Sequence, residues 1–409
     1  MKVYLVGGAV RDTLLGRPVK EKDWVVVGAT PEELLAQGFQ QVGKDFPVFL
    51  HPSTGDEYAL ARTERKKGRG YYGFTCDYNP NVTLEEDLAR RDLTINAMAM
   101  DEQGTLYDPY YGAQDLQAGL LRHVSAAFVE DPVRVLRVAR FAARFSKLGF
   151  KVANETRQLM YQMVKDGELN HLVPERVWQE WQRSLSEPTP EIFIQTLRSC
   201  GALKIILPEL DALYGVPNPP RHHPEIDSGV HTLQVLQAAC RLSEDELVRF
   251  AALVHDLGKA KTPMSDWPSH HRHEHLGLDV IQSLCERLRI PNEYRKLALM
   301  VCRYHLNIHR YHTLKASTVV SILEKADAFR RPELFQKMLL ASQADSLGKN
   351  GEGNEYTEIA LWQKALKICQ SVSAKPLVEE GLKGEAIKNE LHKQRINRLQ
   401  SVKEKRVNE

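Results

Sequence analysis

Nothing in this chain approaches the roughly 20 apolar residues that a bilayer-spanning helix needs, so a membrane protein is not expected. The N-terminus begins with a strand-like Val3-Tyr4-Leu5-Val6 rather than a charged segment feeding a long apolar run, so no secretory signal is read. Cysteine is sparse: six residues (76, 200, 240, 285, 302 and 369) show no CxxC and no disulfide-like spacing. They are expected as reduced thiols in a cytoplasmic protein. A charge of one sign is missing as well, since 55 Lys and Arg face 53 Asp and Glu, for a formal net charge of +2. Any footprint for a nucleic acid must therefore be local. Internal repeats are also lacking, and 409 residues leave room for about two to four domains.

What is there starts with Val3–Val6 running into Gly7-Gly8-Ala9-Val10-Arg11-Asp12, followed by Glu21-Lys22-Asp23-Trp24-Val25-Val26-Val27. Successive glycines let backbone amides approach a triphosphate closely. Residues two apart on a strand share a side, so Glu21 and Asp23 are expected to converge while Lys22 points away. Such a pair suits Mg²⁺, which takes oxygen ligands and bridges proteins to phosphates. The plain alternative is a Gly-Gly turn followed by a surface charge pair. Asp56 or Glu57 is a candidate third carboxylate.

Apolar runs at 3–6, 24–28, 46–50 and 57–61 predict strands of an α/β or α+β head over residues 1–125. From about 130 the periodicity is helical. The Pro-rich Val216-Pro217-Asn218-Pro219-Pro220 is the best candidate linker, and Gly348–Glu355 is a second break. The divisions read as 1–125, 126–220, 225–347 and a helical tail over 348–409.

The segment Glu130-Asp131-Pro132 has the form of a helix start, an N-cap and then Pro at the first helical position. Behind it Arg134, Arg137, Arg140 and Arg144 recur on one arc, opposite Val135, Val138, Ala139 and Ala142. Four arginines on one face repel one another unless an anion meets them, which points to polyphosphate or RNA. Asp131 accepts and Arg134 donates hydrogen bonds, matching the amino group and ring nitrogen of cytosine or adenine but not of uracil or guanine. Between 62 and 74, glycines among basic and aromatic residues suggest either a mobile loop over the site or a plain solvated one.

Taken together, the Gly-Gly-Ala-Val-Arg-Asp segment, the carboxylate pair, Arg90-Arg91-Asp92-Leu93-Thr94-Ile95-Asn96-Ala97 and Glu130–Arg137 resemble the bacterial CCA-adding tRNA nucleotidyltransferases. These belong to the class related to bacterial poly(A) polymerases. The similarity extends to the form with a fused HD domain and covers essentially the whole chain. One departure is Glu21, where the family carries Asp. The resemblance implies an α+β multidomain fold: an α/β nucleotidyltransferase head, a helical body that selects the nucleotide and binds tRNA, and an all-α HD domain. It implies transfer of a nucleotide from CTP or ATP to an RNA 3′-hydroxyl. Glu21 and Asp23 would hold Mg²⁺, and Gly8, Arg11, Arg137 and Arg140 would hold the triphosphate. Arg91, in an Arg-Arg-Asp expected to open a helix, would reach phosphate or ribose, with Asp92 orienting it or bonding a sugar hydroxyl. Asp131 and Arg134 would select CTP and ATP.

Eleven of the fifteen histidines lie between 222 and 312. His255-Asp256-Leu257-Gly258-Lys259 closes an apolar run, a metal-site pattern since both residue types ligate divalent ions. It resembles the HD phosphohydrolases, which implies a ligand set of His231, His255, Asp256, His305 and either Asp345 or Asp327, with His273 a further candidate. The metal would be a divalent transition ion, Ni²⁺ among the candidates, and the chemistry 2′,3′-cyclic phosphodiesterase, 2′-nucleotidase and phosphatase. His270, His271, His309 and His312 read as exposed loop residues. The competing expectations are a poly(A) polymerase and a nucleotide- or RNA-binding protein without turnover. Monomer and homodimer both remain open.

Overall fold

The computed structural model describes residues 1–42, 48–66, 74–219, 226–350 and 356–407. They fall into two compact units, Met1–Ile206 and Leu207–Glu409.

The first unit is built on a seven-stranded sheet. Its strands in chain order are β1 (Lys2–Val6), β2 (Asp23–Val27), β3 (Gln40–Val42), β4 (Val48–Leu50) and β5 (Glu57–Leu60). A separate hairpin pairs β6 (Thr63–Lys66) with β7 (Phe74–Asp77), and the sheet ends with β8 (Ala99–Met100) and β9 (Leu106–Tyr107). The sheet order is β3-β4-β5-β2-β1-β8-β9. The valine run of β2 occupies the middle because it buries both faces. Val25 packs with Tyr4, Val6, Leu88 and Ala97, while Val26 packs with Leu34, Phe49 and Leu60 on the other side. In the resulting register Val6 lies opposite Asp23 across β1–β2, and Glu57 opposite Asp23 across the parallel β2–β5 pair. The glycine turn and the carboxylates therefore meet at one end of the central strands. The predicted strands fall within one residue of those observed where described; residues 46–47 lie outside the described residues, as does 67–73 of the predicted 62–74 loop. The short strands β3, β8 and β9 carried no clear alternation and were not predicted.

Helices follow, among them Leu84–Ala89, Val133–Phe145, Pro174–Leu185 and Pro190–Ser199. The Val133–Phe145 helix buries Val135, Val138 and Ala139 completely, as its apolar arc predicts.

Among the described residues the second unit is all helical. Ser228–Leu242 packs along Pro332–Asn350, close enough that a Cβ on Gly348 would lie 2.8 Å from Val235 Cγ2. The Pro-rich stretch is not a loose linker. Asn218 is fully buried, its Oδ1 accepts from Ser228 Oγ at 3.0 Å and Lys259 Nζ at 2.9 Å, and the units divide ahead of it. Among the described residues no helix is long and apolar enough to cross a membrane.

Candidate active site and metal centre

A cavity of about 1010 Å³ opens at the end of the central strands. Gly8, Arg11, Glu21, Asp23 and Arg91 line it, and so do Asp131, Arg134, Arg137 and Arg140. Glu57 joins them, whereas Asp56 does not and instead accepts from Trp24 Nε1 at 3.4 Å.

Glu21 sits in the coil before β2 rather than on the strand, so the alternation argument does not describe it. It nevertheless faces the same space as Asp23. Partial burial raises the affinity of Asp23 for a proton; Arg91 opposes this and the Glu21 charge adds to it. Two carboxylates facing one cavity, one of them partly buried, are a donor set that a hard divalent cation fits.

Gly7 takes φ +68°, and a Cβ there would lie 2.9 Å from Arg91 Nη1, so the glycine lets the arginine approach the turn. Arg11 is buried. Its Nε and Nη2 donate to the two oxygens of Asp12 at 2.9 and 3.0 Å, and Nη1 donates to Asn96 Oδ1 at 2.6 Å. The Arg90-Arg91-Asp92 segment closes the Leu84–Ala89 helix instead of opening one, because the capping box of Thr83 and Glu86 already fixes the start. Asp87, fully buried, anchors both arginines at 2.7 and 3.2 Å. Burial would raise the pKa of Asp92, but Arg137, Asn96 and the Leu93 amide override it and hold the acid down at about 2.

Three of the four arginines of the arc also meet carboxylates of the protein itself. Arg137 Nε donates to Asp92 Oδ2 at 2.7 Å, and Arg140 Nε to Glu180 Oε2 at 2.7 Å. Arg144 Nη2 lies 3.8 Å from Asp12 Oδ2. Arg134 donates to the carbonyls of Ala127 and Arg90, each at 2.6 Å. Asp131 accepts from the Val133 amide at 3.1 Å, in keeping with its helix-start reading, and its carboxylate is clamped by Arg176 at 3.0 and 2.8 Å. Arg176 and Glu180 were missed in the sequence. Their signal was a carboxylate inside the apolar arc of Val177, Trp178 and Trp181, one turn after an arginine.

In the second unit five helices deliver a buried His/Asp cluster. His231 Nε2 lies 3.0 Å from Asp345 Oδ1, and His255 Nε2 lies 3.2 Å from Asp256 Oδ2. His273 and His305 approach Asp256 Oδ1 at 3.2 and 3.6 Å. Asp327 stays outside, paired with Arg330 at 2.6 Å. Burial disfavours a charged His255, yet Asp256 and Asp345 overcome it and raise its pKa to about 10. Burial pushes that of His305 well down. The two carboxylates thus draw positive charge to this spot. His255 Nε2 and Asp256 Oδ1 are buried without a hydrogen bond, an orphaned pair that a divalent cation fits.

Two histidines correct the sequence reading. His270 is buried, bonded to Thr262 Oγ1 and the Pro217 carbonyl at 2.7 Å each, and half-buried His309 reaches Asp345 Oδ2 at 2.7 Å. His271 and His312 are exposed, as expected. A glycine pair sets the spacing here: a Cβ on Gly258 would overlap the His273 carbonyl and lie 2.9 Å from Gly277 Cα. A smaller cavity of about 300 Å³, flanked by Lys259, Arg272 and Arg310, opens on Asp256, His273 and His305.

Comparison with known proteins finds three matching families. Residues 3–122 match the poly A polymerase head domain, 149–214 a probable RNA- and SrmB-binding site of polymerase A, and 229–331 the HD domain. In fold the chain is similar to the Bacillus stearothermophilus CCA-adding enzyme solved with CTP (24% identity, TM-score 0.64, 95% of this chain and 87% of that one). It is likewise similar to the Thermotoga maritima CCA-adding enzyme complexed with tRNA (22% identity, TM-score 0.61, 98% and 87%). In sequence it is 64% identical to the multifunctional CCA protein of Legionella pneumophila strain Paris, over 97% of this chain and 96% of that protein. The multifunctional CCA protein of Vibrio campbellii is 59% identical over 97% and 98%. At such identity over nearly the whole of both chains, this protein belongs to the multifunctional CCA protein family.

Proposed function

We propose that the chain adds and repairs the 3′-terminal CCA of tRNA from CTP and ATP without a nucleic-acid template, and that its HD centre hydrolyses phosphoesters. The observation that carries the first part is a single cavity joining carboxylates fit for a metal, a glycine turn with arginines, and the Asp131–Arg134 helix start. The RNA 3′-hydroxyl attacks the α-phosphorus and pyrophosphate leaves. Mg²⁺, held by Glu21 and Asp23 with Glu57 alongside, supplies charge stabilisation at the attacking and leaving oxygens. The Gly8 backbone and Arg11, Arg91, Arg137 and Arg140 hold the triphosphate. A guanidinium has five donors, so Arg137 can keep Asp92 while giving its outer nitrogens to phosphate.

Asp131 reads the exocyclic amine and Arg134 the adjacent ring nitrogen. The Arg176 clamp leaves the carboxylate with acceptor capacity and fixes its orientation. Uracil or guanine would leave acceptors facing Asp131, at about 1–3 kcal/mol for each mispaired group. Such a template-free selector needs no complementary strand.

At the second site His231, His255, Asp256, His305 and Asp345 hold a divalent transition metal, Ni²⁺ among the candidates. Such an ion would supply activation of a water, chemistry that suits 2′,3′-cyclic phosphates, 2′-nucleotides and other phosphomonoesters. A tRNA substrate fits a cytoplasmic enzyme. The deciding experiment incubates the protein with tRNA lacking its 3′ end plus CTP and ATP. Addition of three nucleotides supports the reading. An extended A tail would make it a poly(A) polymerase, and no extension a binding protein.

A further inference from the structure

We propose that Arg272 and Arg310 form a two-armed clamp for a dianionic phosphate, which makes phosphomonoesters favoured over 2′,3′-cyclic diesters at the HD site. This rests on reading the buried His/Asp cluster as the hydrolytic centre. The small cavity that opens on Asp256, His273 and His305 is ringed by four cations: Lys259, Lys349, Arg272 and Arg310. Two of them are already balanced. Lys259 Nζ lies 2.6 Å from Asp256 Oδ2, and Lys349 Nζ lies 2.9 Å from Asp345 Oδ2. Glu274, the other acid on the rim, has its carboxylate 3.4 Å from His275 Nε2. Arg272 and Arg310 are exposed, and among the described residues no ion pair or hydrogen bond holds either guanidinium. Two unpaired guanidinium groups at the mouth of one cavity repel each other until an anion joins them.

The backbone at Arg272 points the same way. Its φ is +64°, left-handed space that glycine enters freely and other residues rarely adopt. Arg272 also caps the His273–Arg287 helix, where Ser, Thr, Asp or Asn would supply an acceptor and arginine supplies none. An arginine that breaks both local rules and has no partner in the protein fits a residue kept for a ligand. The turn holds this conformation from behind. His270, itself at φ +49°, is pinned by Thr262 Oγ1 and the Pro217 carbonyl at 2.7 Å each. Its own carbonyl accepts from the His273 amide at 3.1 Å. Arg310 follows the end of a different helix, Asn292–His309, which carries His305. The two arms therefore reach the cavity from separate elements.

A phosphomonoester has three terminal oxygens and carries about −1.5 to −2 near pH 7, while a cyclic diester has two and a single negative charge. With one oxygen directed at the His/Asp cluster, a monoester keeps one for each arginine. A cyclic diester has only one for the pair. Each guanidinium contact to phosphate is a charge-assisted hydrogen bond, so its loss is felt in binding. At about 300 Å³ the cavity is of the size that takes a single small ligand.

The test compares hydrolysis of adenosine 2′-monophosphate and adenosine 2′,3′-cyclic monophosphate by the full chain in saturating Ni²⁺. In Arg272→Gly, whose backbone suits φ +64°, and in Arg310→Gln, the KM for the monoester should rise about tenfold, with kcat within about twofold. The ratio of kcat/KM for the monoester over that for the cyclic diester should fall about as far. Arg272→Lys, which keeps the charge but not the planar fork, should recover part of the loss. Orthophosphate, as a competitive inhibitor of cyclic diester hydrolysis, should weaken by a similar factor. Thermal melting checks each fold, and should one variant not fold, the others decide. An unchanged ratio, or equal losses for both substrates, overturns the clamp and leaves the hydrolytic centre standing. A parent chain that hydrolyses neither substrate overturns both.

Discussion

Glu180 offers the sharpest test of how the head's arginine arc is balanced. The residue is 3% exposed and its carboxylate accepts from Arg140 Nε at 2.7 Å, with Arg183 and Arg137 at 3.6 and 3.8 Å. Glu180→Ala leaves the guanidinium of Arg140, a residue only 7% exposed, with Glu187 Oε1 at 3.4 Å. Stranding one partner of a buried ion pair costs about 3–5 kcal/mol. The remaining carboxylate puts this case at the lower end, about 3 kcal/mol. A unit of 206 residues loses roughly 2–4 °C in Tm per kcal/mol, so its transition should fall by about 6–12 °C. Glu180→Gln keeps the shape and an acceptor and should fall by less than half as much. Scanning calorimetry of the full chain reads both, with nucleotide addition assayed at 25 °C, well below either transition. A Tm within 2 °C of the parent for Glu180→Ala would refute the reasoning, since Arg140 would then be balanced without its nearest anion.

Asp92, held at about 2 against an ordinary 3.8, contributes about 2–3 kcal/mol that is present above pH 4 and lost as pH falls towards 2. Asp92→Asn should flatten the head's stability across that window in urea titrations; an unchanged slope would sink the assignment. Arg134→Ala should relax discrimination against UTP and GTP by one or two hydrogen bonds' worth and, because the guanidinium ties Ala127 to Arg90, should also destabilise by about 1–3 kcal/mol. Stability loss with unchanged nucleotide preference would leave Arg134 only the strut role. Asp23→Ala should abolish CCA addition and spare hydrolysis of a 2′,3′-cyclic phosphate, while the His255→Ala/Asp256→Ala double variant should do the reverse. Loss of both activities in either folded variant would mean one shared site.

Much of this was legible because the signals are local. A valine run between glycine turns reads as a central strand, and a three-to-four-residue arginine recurrence reads as a helix face. His255-Asp256 announces a metal site through adjacent ligands. What escaped depended on distant partners. Arg176 and Glu180 matter through Asp131 and Arg140, some 40 residues away in sequence. His309 looked like a loop residue because the Pro332–Asn350 helix that brings Asp345 to it cannot be placed from local pattern. Glu21 lay outside its predicted strand because β2 begins only where the valine run and the Glu57 partner can sustain pairing. Periodicity likewise shows where the arginines gather but not which of the chain's own acids will meet them.

The glycine pair at 258 and 277 allows the turn after Asp256 to lie against the helix that begins at His273. A Cβ on Gly277 would meet Cys302 Sγ at 2.6 Å, so neither position has room for one. Packing tolerance, as well as ligand chemistry, therefore decides whether His273 reaches Asp256. A single methyl group introduced there would withdraw one donor while leaving every liganding side chain in the sequence. Within this family, loss of hydrolase activity can thus arise by drift at a residue that touches neither metal nor substrate. Inspection of the His and Asp positions alone would miss it.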